Sequence, residues 1–302
     1  MMKCVRRRPK AARGRRETGG RIMLDPDEDG ALGAWLEEVQ AQDAAWDGVP
    51  RSPAETLAYG ERPEQVVDLW VPASGAGGPL VISLHGGYFE AEFDRSLHVP
   101  IVRRLLAEGF SVANVEYRRI GSGGGPEESV ADVHAAVDAV AERLAPPAIA
   151  VFGHSAGGYL CGALAAHPRV DLVVPLAAVS DPAGAARAGW DEGSIARWIA
   201  AGAVRHPEGY EVPTLGAQPR TGTEHLVVHG VADTVVGVEQ SRALVEARLR
   251  AGDRARLVEL EGEGHYGFLD PREAAFGALR EGLLRWRDAV DGEAARTVPH
   301  EQ

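Results

Sequence analysis

Three side chains far apart in the chain have the types that acyl transfer requires. Ser155 stands in Gly153-His154-Ser155-Ala156-Gly157, Asp233 closes "HLVVHGVAD", and His265 lies in "GEGHYGF". A serine hydroxyl is a weak nucleophile until a base takes its proton, and a histidine serves as that base best when an acid fixes its tautomer and orientation. The negative charge that then develops on a carbonyl oxygen requires backbone N–H donors. The loop "LHGGYF" offers them near Gly87 and Tyr88, with Ala156 as a further donor behind the serine. The chemistry predicted is two-step acyl transfer, with no metal and no organic cofactor. His85, in the same glycine loop, is expected to brace it rather than react.

Other acids and histidines compete for these roles. Asp181 also ends an apolar run, but one strand too early, at the opening of an irregular segment. Asp132 begins a helical pattern and is expected to brace Arg118 or Arg119. His154 is the serine's own neighbour and cannot readily swing round to its hydroxyl.

Such a constellation needs elements that carry the three residues to one edge. Apolar runs alternate with helical patterns along the chain: "LVISLHGG", "SVANVEY", "AIAVFG", "VDLVVPLAAVSD", "HLVVHGVAD" and "ARLVELEGEGH" read as strands, after two short early ones in "TLAYG" and "VVDLWVP". Helices are predicted at about 27–46, 97–108, 127–144, after Ser155, at 237–251 and at 271–289. Near-continuous Val/Ile/Leu runs mark strands buried on both faces, so the fold class is α/β with a mostly parallel central sheet flanked by helices. Ser155, Asp233 and His265 each follow a strand, the edge where open α/β sheets form their sites. In G-x-S-x-G the serine occupies a sharp strand-to-helix turn, whose neighbours must be glycine because side chains there would collide. Residues 23–302 read as one domain, with 183–223 as an inserted cap that interrupts the alternation.

Composition bounds the function. Hydrophobic residues make up 45% and charged residues 25% of the 302, the balance of a globular protein. The net charge is -12, although the first 22 residues hold nine Lys/Arg against one Glu, so the remainder is more acidic still. An acidic body excludes nucleic acid as the main partner. Residues 1–22 read as a disordered basic leader, with Met23 as the natural start. No apolar h-region follows its arginines, and no apolar run reaches the roughly 18 residues of a membrane span. The stretch "DPDEDG" at 25–30 opens like a calcium loop, but Leu36 stands where a bidentate Glu is needed. Two cysteines, Cys4 and Cys161, form no metal or disulfide pattern and suit a reducing cytoplasm. The sequence sets no oligomeric state.

Over roughly residues 55–290 the chain resembles the α/β-hydrolases, and within them the branch of kynurenine formamidases and hormone-sensitive-lipase-type esterases. The matching residues are His85-Gly86-Gly87-Tyr88, Glu116-Tyr117-Arg118, Gly153-His154-Ser155-Ala156-Gly157-Gly158, Asp233 in Gly230-Val231-Ala232-Asp233, and Gly264-His265-Tyr266, with "YGERPEQVVDLWVP" similar to that branch's opening. The resemblance implies Ser155 as nucleophile, His265 as base, Asp233 as its orienting acid and a first-strand oxyanion loop. Phe89 stands where formamidases of this group usually carry Trp, a position expected beside the acyl pocket.

The expected partner is a small-molecule ester or N-acyl or formyl amide, without nucleic acid or membrane. Phe89, His154, Trp190, Trp198 and Tyr266 are the expected substrate contacts, with Tyr88 and Tyr210 adding aromatic surface. Peptides and long lipids are not expected, because no propeller-sized extension or secretion signal is present. The alternative is a catalytically silent hydrolase fold used as a small-molecule binding module, against which all three catalytic residue types stand in place.

Overall fold

The structure, a computed structural model, describes residues 37–39, 41, 49–73, 75, 77–189, 193–204 and 211–297. The basic leader, the 25–30 stretch, Trp190 and Tyr210 lie outside the described residues, and of the expected helix at 27–46 only 37–39 and 41 are described, all helical.

Eight strands form one sheet: β1 (Glu55–Ala58), β2 (Val66–Trp70), β3 (Leu80–Leu84), β4 (Ser111–Val115), β5 (Ile149–His154), β6 (Leu172–Leu176), β7 (Glu224–Gly230) and β8 (Arg254–Leu260). Their spatial order is β1-β2-β4-β3-β5-β6-β7-β8. β1 and β2 pair antiparallel with each other, and β2 runs antiparallel to β4; the pairs from β4 to β8 are parallel. The sequence-based reading of a mostly parallel α/β sheet holds. From β3 the chain steps outward to β4 and then returns to β5 on the other side of β3. This reversal opens a crevice at the carboxyl ends of β3 and β5, the switch point at which open α/β sheets place ligands.

The helices are α1 (Val99–Ala107), α2 (Pro126–Leu144), α3 (Ala156–Ala163), α4 (Pro182–Ala188), α5 (Ser194–Ala203), α6 (Glu239–Ala251) and α7 (Ala274–Thr297). Side chains alternate across a strand, so β3 sends Leu80, Ile82 and Leu84 to one face and Val81 to the other. The first face packs on Val133, Val137 and Val140 of α2, Leu160 of α3 and Leu244 of α6. The second packs on Ile101, Val102 and Leu105 of α1 and on Phe276, Leu279 and Leu283 of α7. Pro126 opens α2 with its fixed φ, Glu128 reaches back to the Gly125 N–H at 2.9 Å, and Ala145 ends the helix in a left-handed conformation.

One helix departs from expectation. The last, predicted at about 271–289, begins at Ala274 and runs on to Thr297, because polar residues after Ala289 extend a helix as readily as apolar ones. The segment between β6 and β7 holds α4 and α5, which pack on each other, and α5 closes the first face beside α2 through Trp198. Among the described residues no helix is long and apolar enough to cross a membrane.

Candidate active site

Ser155 is the single residue between β5 and α3, at φ 55° and ψ -115°. That conformation is strained for a residue with a side chain, and it persists where the surroundings over-determine it. The Ser155 N–H bonds to the Leu176 carbonyl at 2.9 Å, tying the turn to β6. A β-carbon at Gly157 would overlap the Leu84 and His85 carbonyls, and one at Gly153 would overlap the Gly157 carbonyl. Backbone therefore packs directly on backbone around the serine. Ala156 is the first residue of α3, so its N–H has no intrahelical partner and points out of the helix start.

His265 follows β8 and Asp233 follows β7. The His265 Nδ1–H donates to Asp233 Oδ2 at 2.7 Å, with both side chains buried. Asp233 Oδ1 accepts the Val235 and Val236 N–H groups at 2.8 Å each, an arrangement that fixes the carboxylate from its own loop. Burial alone pushes the Asp233 carboxyl up, but His265 and His229 beside it outweigh burial and hold it well below the usual carboxylate range. His229 lies beneath: its Nε2 is 3.2 Å from Asp233 Oδ2 and donates to the Val236 carbonyl at 2.9 Å, while its Nδ1 is hydrogen-bonded to the Ser241 hydroxyl at 2.7 Å. Sequence reading passed over His229. Its signal was a histidine on a buried strand, four residues before the acid.

His154 donates from Nε2 to the His265 carbonyl at 2.9 Å, and burial, with His265 beside it, holds its imidazole well below the usual range. It lines the cavity and also anchors the backbone of the candidate base. His85 is a brace: its ring stacks on Tyr117 at 4.6 Å, Nδ1 binds the Gly86 carbonyl at 2.7 Å, and Nε2 meets Glu116 at 3.1 Å. Arg119 pairs with the same Glu116 oxygen.

Gly87, Tyr88 and Phe89 all have positive φ, at 111°, 58° and 58°. At Gly87 a β-carbon would also strike Phe93, so only glycine fits there. A solvent-open crevice joins Gly87 and Tyr88 to His154, Ser155 and His265, and is walled by Phe93, Leu97, Tyr266 and Leu269. Ser155 and His265 share this wall without a hydrogen bond between them. The Tyr88 and Tyr266 hydroxyls bond to each other at 2.5 Å, linking the glycine loop to the histidine loop.

The structure thus brings Ser155, Asp233, His265, Gly87, Tyr88, Ala156, His154 and Tyr266 together. Phe89 and Trp198 are a correction, because they stack on each other at 3.8 Å, are almost fully buried, and stand outside the crevice. Three successive left-handed residues turn Phe89 away from Tyr88 and into the core, where it holds α5 against the glycine loop. Phe93, Leu97 and Leu269 were missed, since their place in the wall depends on how separate segments pack. Asp181 caps α4 through the Gly184 N–H at 2.9 Å, and Asp132 makes two hydrogen bonds to the Arg118 guanidinium, at 2.9 and 2.7 Å. Neither is an alternative acid. Among the described residues no group of His, Cys, Asp and Glu is placed to hold a metal ion.

The sequence model of the prolyl oligopeptidase family matches residues 109–288. Esterase LipC of Mycobacterium tuberculosis is 29% identical over 241 residues, 69% of this chain and 58% of LipC, so the chain spans a little over half the length of that curated relative. Among solved structures, inhibited esterase B of Lactobacillus rhamnosis superposes with a TM-score of 0.67 at 19% identity, over 88% of this chain and 97% of that one. A thermophilic esterase of Thermogutta terrifontis with propionate bound gives 0.60 at 22% identity, over 78% and 94%. These two likenesses are of fold, the α/β-hydrolase fold.

Proposed function

The chain belongs to the prolyl oligopeptidase family of α/β-hydrolases, and from that premise we propose that it is a serine hydrolase of small esters or N-acyl amides. The observation that carries this reading is the buried Asp233–His265 pair, 2.7 Å apart, whose histidine shares a crevice with a strained Ser155. Ser155 Oγ attacks the substrate carbonyl as His265 Nε2 takes its proton, and the oxygen's charge rests on the N–H groups of Gly87, Tyr88 and Ala156. His265 then protonates the leaving alcohol or amine. Water repeats the attack on the acyl-enzyme, and the acid and Ser155 are released.

The walls support a small, uncharged substrate. Phe93, Leu97 and Leu269 are apolar, and no Asp, Glu, Lys or Arg lines the crevice among the described residues. The likeness to Esterase LipC favours an ester. The formamide reading rests on the formamidase resemblance and is not weakened by Phe89, which faces the core. We take residues 23–302 as one hydrolase domain in which 183–223 is an inserted cap, a division supported by α4 and α5 lying between β6 and β7. A cytoplasmic setting is supported by the buried free thiol of Cys161.

The test is a comparison of initial rates on p-nitrophenyl acetate and N-formyl-kynurenine, with Ser155→Ala as the blank. Ester turnover that Ser155→Ala abolishes is expected; preference for the formamide would assign an arylformamidase. Turnover of neither, with Ser155 unlabelled by a fluorophosphonate, would overturn the reading in favour of a silent binding module.

A further inference from the structure

Asp233 must present one carboxylate oxygen to His265 and keep it there through each proton transfer. Its loop holds only half of it. The Val235 and Val236 N–H groups both go to Oδ1, leaving Oδ2 to be oriented by whatever lies on its other side. On that side is His229, fully buried at the carboxyl end of β7, with Nε2 3.2 Å from Oδ2.

The ring's own hydrogen bonds decide what it offers. Val236 O can only accept, so a proton sits on His229 Nε2, while Nδ1 is hydrogen-bonded to the Ser241 hydroxyl at 2.7 Å. Ser241 belongs to α6 and is itself fully buried, so a helix outside the site orients a ring inside it. The Nε2–H lies between the Val236 carbonyl and Asp233 Oδ2 and holds both the carboxylate and the loop that grips its other oxygen.

We propose that His229 is a positioning residue: an imidazole, held in place by Ser241, that keeps Asp233 Oδ2 in line with His265. It touches no reacting atom. The inference rests on the reading of Ser155, His265 and Asp233 given above, and it extends the relay from three residues to five, Ser241, His229, Asp233, His265 and Ser155.

The deciding experiment is a double-mutant cycle read by the rate at which a fluorophosphonate labels Ser155, which needs no knowledge of the natural substrate. His229→Leu should slow labelling on the order of ten- to a hundredfold, the worth of a hydrogen bond to a charged group. Ser241→Ala, a milder change at a site remote from the serine, should slow it by a few-fold and keeps the test available if His229→Leu fails to fold. His229→Gln, which retains a donor, should recover part of the loss. In an Asp233→Asn background both changes should cost almost nothing further, and the acid limb of the labelling rate against pH should move in His229→Leu. A purely structural role would lower the unfolding temperature but leave the effects additive and the limb in place, which would overturn the inference. Labelling that survives Ser155→Ala would overturn the hydrolase reading instead, so the two failures are distinct.

Discussion

Two buried histidine–carboxylate pairs flank Ser155, and only one of them can take a proton. In the His265–Asp233 pair the carboxylate engages Nδ1, and among the described residues no hydrogen bond ties Nε2, which belongs to a ring lining the crevice. In the His85–Glu116 pair both ring nitrogens are engaged, by the Gly86 carbonyl and by Glu116, with Tyr117 stacked on the ring face. The residue types and the burial are alike. What separates a base from a brace is which nitrogen is left over, and that depends on the neighbours of each ring.

The largest test of this contrast removes the open nitrogen. His265→Gln should lower kcat by about a millionfold, as the loss of the serine or histidine of a triad does, with the circular dichroism spectrum unchanged. Residual turnover within a hundredfold of wild type would break the contrast. Asp233→Asn keeps the shape but reverses the tautomer preference, and kcat should fall about ten-thousandfold with the unfolding temperature nearly constant.

On the other pair the same kind of change should act on stability. Glu116→Gln leaves the buried guanidinium of Arg119 without its counter-charge, which should cost about 3–5 kcal/mol in urea unfolding while kcat stays within tenfold. A larger loss of kcat than of stability would make Glu116 part of the chemistry. The smallest expected effect is the pH dependence of that stability. Burial pushes the Glu116 carboxyl up, but His85 and Arg119 hold it at about 2, below its ordinary 4.5. Its contribution is therefore complete above pH 4.5 and is lost as pH falls from there through about 2. Glu116→Gln should flatten that part of the acid unfolding curve.

The two pairs also differ in how far the sequence discloses them. Ser155 comes directly after a strand, and Asp233 and His265 in the short loops that follow theirs, so local pattern carries them to the carboxyl edge of the sheet. The glycines at 153 and 157 mark the turn because only a missing side chain admits the contacts seen there. The roles of His229 and Glu116 rest instead on ring orientation and on partners from other elements. Phe89 and Trp198 show the limit most plainly. Their aromatic character suggested a pocket wall, but a run of three left-handed residues, two of them not glycine, has no signature in composition or periodicity and reverses where Phe89 points.

The bond from the Ser155 N–H to the Leu176 carbonyl also bears on the molecule's breathing. An amide buried between neighbouring parallel strands exchanges its hydrogen for solvent deuterium only when those strands part, an opening close in free energy to global unfolding. The nucleophile's own amide should therefore be among the last in the chain to exchange. Its reactive oxygen is carried by the part of the protein that opens least often, so that conformational adjustment to a substrate must come from the walls around it.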